Sequence, residues 1–137
     1  MLNIFIFCVL LLAVLFDLIN PSFIARGYPG YNHLIHTVSE LGTRESPVMN
    51  KERLNLADIG ILFCLFAVGE ACLFRDNTVF HILYSIGILV FGIGSVISGI
   101  YPEDPEDSEK TVSGKIHGIS SGLGFMLLGL NPLWHYG

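Results

Sequence analysis

Charge is scarce in this sequence. Asp, Glu, Lys and Arg make up 14% of its 137 residues, where a soluble domain carries about 25%, and the shortfall excludes an ordinary water-soluble globule. Basic residues are fewest, seven against twelve acidic ones. They lie in connecting segments without a basic face, so nucleic acid is excluded as a partner. The three cysteines, Cys8, Cys64 and Cys72, sit inside apolar runs without CxxC spacing and read as small buried hydrophobes. P-loop and HExxH signatures are absent, and the FGIGSV stretch lies inside an apolar run without the strand and helix context of a dinucleotide site. The first apolar run has no Lys or Arg before it and no A-x-A cleavage site, so it reads as a retained anchor.

What the sequence does contain is hydrocarbon. Hydrophobic residues make up 52%, the mean hydropathy is +0.62, and the apolar runs approach the roughly 20 residues that cross a bilayer core. The expected fold is all-α: a polytopic bundle of four transmembrane helices at residues 2–19, 54–74, 79–101 and 115–131, within one membrane domain covering residues 1–137. Asn20 and Pro21 are expected to close the first helix, Pro102 the third, and Asn131 and Pro132 the fourth, with Trp134 and Tyr136 as interfacial aromatics. Arg75, Asp76 and Asn77 break the second run.

Four spans place the loop after the first helix and the loop after the third on one side of the membrane. Arg26, Arg44, Lys51, Arg53, Lys110 and Lys115 lie on that side and Arg75 on the other. The positive-inside rule then sets the long loops in the cytoplasm and the N-terminus outside. Gly87, Gly92, Gly94, Ser95, Ser98 and Gly99 on the third helix, with Gly118, Ser120, Ser121, Gly122, Gly124 and Gly129 on the fourth, are expected first as packing faces, because lipid supplies no hydrophobic push between helices. The same faces suggest a homo-oligomer or a partner membrane subunit.

The stretch from Tyr28 to Gly42, YPGYNHLIHTVSELG, carries the strongest chemical pattern. With Asn32 as N-cap and Gly42 as stop, residues 33–41 are expected to form a short amphipathic interfacial helix. His33, His36, Thr37 and Glu40 would share one face. Two imidazoles one turn apart with a carboxylate supply ligands for a zinc-like divalent metal, and His117 would complete the set; plain hydration of the face is the bland alternative. Asp17, Asp58, Asp104 and His117 are expected at the same membrane level, so the candidate polar site comprises His33, His36, Ser39, Glu40, Asp58, Asp104 and His117. Ser120 and Ser121 beside His117 invite a nucleophile reading but fit helix packing better. Glu70 is expected to pair with Arg75 near the opposite surface, apart from this group, as is His81.

Two stretches resemble a known family. YPGYNHLIHTVSELG after a first membrane helix, and GIYPEDPEDSEKTVSGKIHGISSGLGF from the third loop into the fourth helix, resemble the prokaryotic membrane-protein family called domain of unknown function 998. The matching positions are Tyr28, Pro29, Gly30, Tyr31, Ser39, Glu40, Leu41 and Gly42, then Pro102, Asp104, His117 and Gly118. Tyr101 stands where that family often has Phe. The resemblance implies a prokaryotic cell-membrane location, and two further membrane helices that this sequence lacks; it implies no reaction.

Three functional classes follow from these residues. The polar site belongs to a metal-dependent membrane hydrolase acting on a lipid-like substrate, to a small transporter or lipid-binding module, or to an accessory subunit that packs through its Gly and Ser faces.

Overall fold

The computed structural model describes residues 2–73 and 79–135, apart from the side chains of 2, 80 and 131–135. Among these residues there are four long helices and no strand: α1 Leu2–Ala25, α2 Met49–Leu73, α3 Val79–Ile100 and α4 Val112–His135, with a 3-10 turn at Val38–Gly42. Three helices, over Asn3–Ala25, Met49–Leu73 and His81–Ile100, are long and apolar enough to cross a membrane. α4 is equally long but diluted by Lys115, His117, glycines and serines, and it is not among those three. Arg75, Asp76, Asn77 and Tyr136, and the Trp134 ring, lie outside the described structure.

The helices pack in chain order, α1 on α2, α2 on α3 and α3 on α4. Helical spacing explains the core. Ile6, Val9 and Ala13 of α1 meet Ile59, Phe63 and Phe66 of α2 and Ile88 and Phe91 of α3, with Phe63 edge-on to Phe91 at 5.0 Å between ring centroids. The opposite faces carry exposed Phe5, Leu11, Leu18, Ile61, Leu65, Ile93 and Leu123, the inside-out pattern that lipid permits and water penalises. Cys8 and Cys72 lie on this exposed surface and Cys64 is half-buried, so two of the three cysteines are not the buried hydrophobes expected.

Glycine sets the α2–α3 and α3–α4 distances. A Cβ on Gly60 would sit 2.5 Å from the Gly92 carbonyl oxygen and 2.7 Å from the Val96 nitrogen, and one on Gly94 would sit 2.6 Å from the Ser120 carbonyl oxygen. The packing expectation therefore holds at Gly92, Gly94, Gly99 and Gly124, whereas Gly118, Gly122 and Gly129 face open space.

Three boundaries differ from expectation. α1 continues through Asn20 and Pro21 to Ala25, because Pro21 is buried and Asn20 Nδ2 donates to Asn55 Oδ1 of α2 at 2.8 Å; tertiary contact holds the turn that proline weakens. α2 begins at Met49, five residues before its apolar run, and α4 runs on past Asn131 and Pro132. The amphipathic helix at 33–41 does not form. Asn32 Oδ1 accepts the Leu34 N–H in a local turn, and Leu34 ends 91% exposed. The helical segment starts instead after Thr37, whose N–H donates to Glu40 Oε1 at 2.7 Å, so the T-x-x-E capping box chose the start.

Candidate functional site

α1 and α4 are the outer helices, and a cleft of about 240 Å³ opens between them. Its walls come from every long helix: Asp17 of α1, Glu52 of α2, Ser95 and Ser98 of α3, and His117 and Ser121 of α4, with Val38 and Ser39 at its loop end. The rest of the lining is apolar, Leu56, Phe91 and Phe125. Ser39 and His117 of the expected site thus line a common cleft, as does Asp17.

The central group is one that sequence reading missed. Glu52 has 0% of its surface exposed, and neither Oε1 nor Oε2 has a hydrogen-bond partner. The neighbouring Asn55 uses Oδ1 toward Asn20 and leaves its own Nδ2 unpaired. Gly42 packs against the Glu52 side chain from the loop side: a Cβ there would lie 3.6 Å from Glu52 Cγ. A usable signal existed, because Glu52, Leu56, Ile59 and Phe63 share one helical stripe once α2 is started at Met49.

His117 is 3% exposed. Its Nδ1 faces the Tyr101 carbonyl oxygen at 3.0 Å and the Ser98 carbonyl oxygen at 3.2 Å. Both neighbours are acceptors, so Nδ1 carries the hydrogen. Nε2 is left 3.8 Å from Glu103 Oε2. Ser120 and Ser121 donate their hydroxyls to the His117 backbone carbonyl, at 3.0 and 2.8 Å, and Ser98 and Ser120 join α3 to α4 at 3.1 Å. No serine hydroxyl here is bonded to the imidazole, so the pairing a nucleophile needs is not made.

The other expected residues are elsewhere. His33 and His36 flank Tyr31, edge-on at 4.9 Å and stacked at 5.4 Å, and His36 Nδ1 accepts the Asn32 N–H at 3.0 Å. Tyr31 donates to the Thr37 carbonyl at 2.9 Å; burial first, then the Glu40 and Glu52 carboxylates, raise its phenol above the ordinary value of 10.0. Glu40 is occupied by Thr37. Among the described residues no three His, Cys, Asp or Glu side chains converge as ion ligands, so the set His33, His36, Glu40 and His117 is not assembled. Each imidazole is held by its own neighbours. Asp58 is exposed on another face of α2, beside Asn20 and Lys51.

Asp104 is a fold-closing group. Its Oδ2 accepts the Thr111 N–H at 2.6 Å and its Oδ1 accepts the Thr111 hydroxyl at 2.9 Å, at the N-terminus of α4, where a negative charge is favoured. Burial acts to raise its pKa, but these two bonds, with Arg44 and Lys110 nearby, outweigh it and hold the carboxyl below 3.8. Near the opposite end of the bundle, Glu70 accepts from Ser85 at 3.0 Å and lies 3.4 Å from His81, while its expected partner Arg75 lies outside the described residues.

A family model described as Protein of unknown function (DUF998) matches residues 7–133. No curated protein and no solved structure matches the chain.

Proposed function

This chain belongs to the DUF998 family, and from that premise we propose that it is a membrane-embedded binding protein for an amphiphile. The cleft between α1 and α4 receives the polar head, and the tail lies along the apolar lining toward lipid. The observation that carries this reading is the Glu52 carboxylate, buried and unpartnered at the cleft wall. Such a group costs a fold several kcal/mol, roughly, unless a partner arrives. The lining suits a head and tail together: carboxylates and serines at one end, Leu56, Phe91 and Phe125 beyond them.

In this reading the chain forms one membrane unit in the cell membrane with the N-terminus outside, and the cleft opens at the cytoplasmic end, where six of the seven basic residues lie. A second copy or a partner subunit would find close backbone approach at Gly118, Gly122 and Gly129, which meet nothing within 4 Å.

Native mass spectrometry of the purified full chain, incubated with tetradecanol and other tetradecyl amphiphiles, tests the reading. One amphiphile bound per chain, lost when Ser121→Phe fills the cleft, is the expected result. A wild-type chain that takes up none of them at one-to-one stoichiometry overturns it.

A further inference from the structure

The charge around the cleft has one sign. Building on the amphiphile reading above, we infer that the head it selects is cationic: an alkylammonium or quaternary ammonium group, on a lipid or on a free amine. Asp17 and Glu52 both border the cleft, and no Lys or Arg lines it. Glu52 itself has no exposed surface and neither of its oxygens makes a hydrogen bond, so a cation that reaches them gains an ion pair. An anionic head would meet two carboxylates and no Lys or Arg. A hydroxyl head would satisfy one oxygen and leave the charge unneutralised.

The aromatic lining points the same way. Phe91 and Phe125 both line the cleft, with centroids 5.2 Å apart at 68°, and the negative face of a phenyl ring attracts ammonium groups. Ser121 cannot substitute for the missing cation, since its hydroxyl is committed to the His117 carbonyl. The Nδ1 of His117 is likewise fixed on two carbonyl oxygens, and its Nε2 faces the Glu103 carboxylate at 3.8 Å, so any positive charge on that ring is already opposed. Glu52 and Asp17 are the acidic groups left to discriminate by charge.

The test compares three amphiphiles of one chain length, tetradecyltrimethylammonium, tetradecanol and tetradecyl sulfate, on the purified full chain in maltoside micelles. Binding is read by native mass spectrometry for wild type, Glu52→Gln and Asp17→Asn. Wild type is expected to bind the ammonium about tenfold more tightly than the alcohol. Glu52→Gln is expected to bring the two within about twofold while alcohol binding persists. Should Glu52→Gln fail to fold, Asp17→Asn reads the same preference, which must then fall. Tetramethylammonium as competitor separates the sources: displacement of the probe assigns the site to free amines, and its failure to displace assigns it to lipid headgroups. Equal binding of all three amphiphiles by wild type, or an undiminished ammonium preference in folded Glu52→Gln, overturns the cationic head and leaves the amphiphile reading standing. If none of the three binds, both fall.

Discussion

A carboxylate with no exposed surface and no hydrogen-bond partner destabilises the empty fold that contains it. Replacing Glu52 by Gln removes the charge at nearly constant volume. The ligand-free protein is therefore expected to gain about 1–3 kcal/mol, seen as a higher melting temperature in detergent; a lower one would mean that Glu52 holds the helices together. Asp104 gives the opposite sign. Its folded-state pKa lies below the ordinary 3.8, so its stabilising contribution is whole above that value and is lost as pH falls through the folded one. Asp104→Asn is expected to lower the melting temperature at neutral pH and to flatten the acid limb of the melting profile, and an unchanged limb would remove the carboxyl from that role. Residue types alone could not separate these roles. Asp104 attracted notice because carboxylates are conspicuous in an apolar chain, yet Thr111 consumes both its oxygens. Glu52 escaped notice because it was counted with the loop before the apolar run.

At the scale of elements, hydropathy located all four helices and failed at their ends, where specific contacts decide. The Asn20 to Asn55 bond carries α1 past Pro21, and Arg53 donates to the Gly99 and Ile100 carbonyl oxygens at 2.8 Å each, closing the C-terminus of α3. The loop from Tyr28 to Gly42 is ordered by turns. Pro29 and Gly30 occupy the centre of a turn closed by the Tyr31 N–H on the Tyr28 carbonyl oxygen, and Gly30 has φ 85, as a type II turn demands. Gly30→Ala is expected to cost about 1 kcal/mol in thermal unfolding, with nothing sterically in its way except the backbone conformation. At the helix crossing the obstacle is instead contact: Gly60→Ala would push against the Gly92 carbonyl and the Val96 nitrogen, backbone atoms that cannot turn aside. A loss of about 1–3 kcal/mol is expected there, whereas Gly118→Ala, in open space, should be neutral or raise stability by about 0.5–1 kcal/mol through helix propensity. Equal effects of the two alanines would show that glycine does not set the α2–α3 distance.

For the whole molecule, the decisive property is that both long connections emerge at one end of the bundle. The Arg53 bonds bring the start of α2 level with the end of α3, Val38 and Ser39 reach the same cleft as His117 at the start of α4, and Gly42 packs against Glu52. This convergence was legible from the parity of the hydrophobic runs. The outcome of convergence was not, because it depends on which face each helix turns inward, and the histidines of the first loop turn toward Tyr31 and away from the bundle. The topology makes a direct prediction. His33 and Glu106 are exposed in different loops, so single cysteines placed there, after Cys8, Cys64 and Cys72 are replaced by Ala, should react with a membrane-impermeant maleimide from the same side of sealed vesicles. In the proposed orientation, which sets the basic residues on the cytoplasmic face, both should label in inverted vesicles and be protected in right-side-out ones. Joint labelling in right-side-out vesicles would reverse the orientation and keep the cleft. Labelling of one position from each side would separate the loops and dissolve the cleft itself, since Ser39 and His117 could then no longer border a common space.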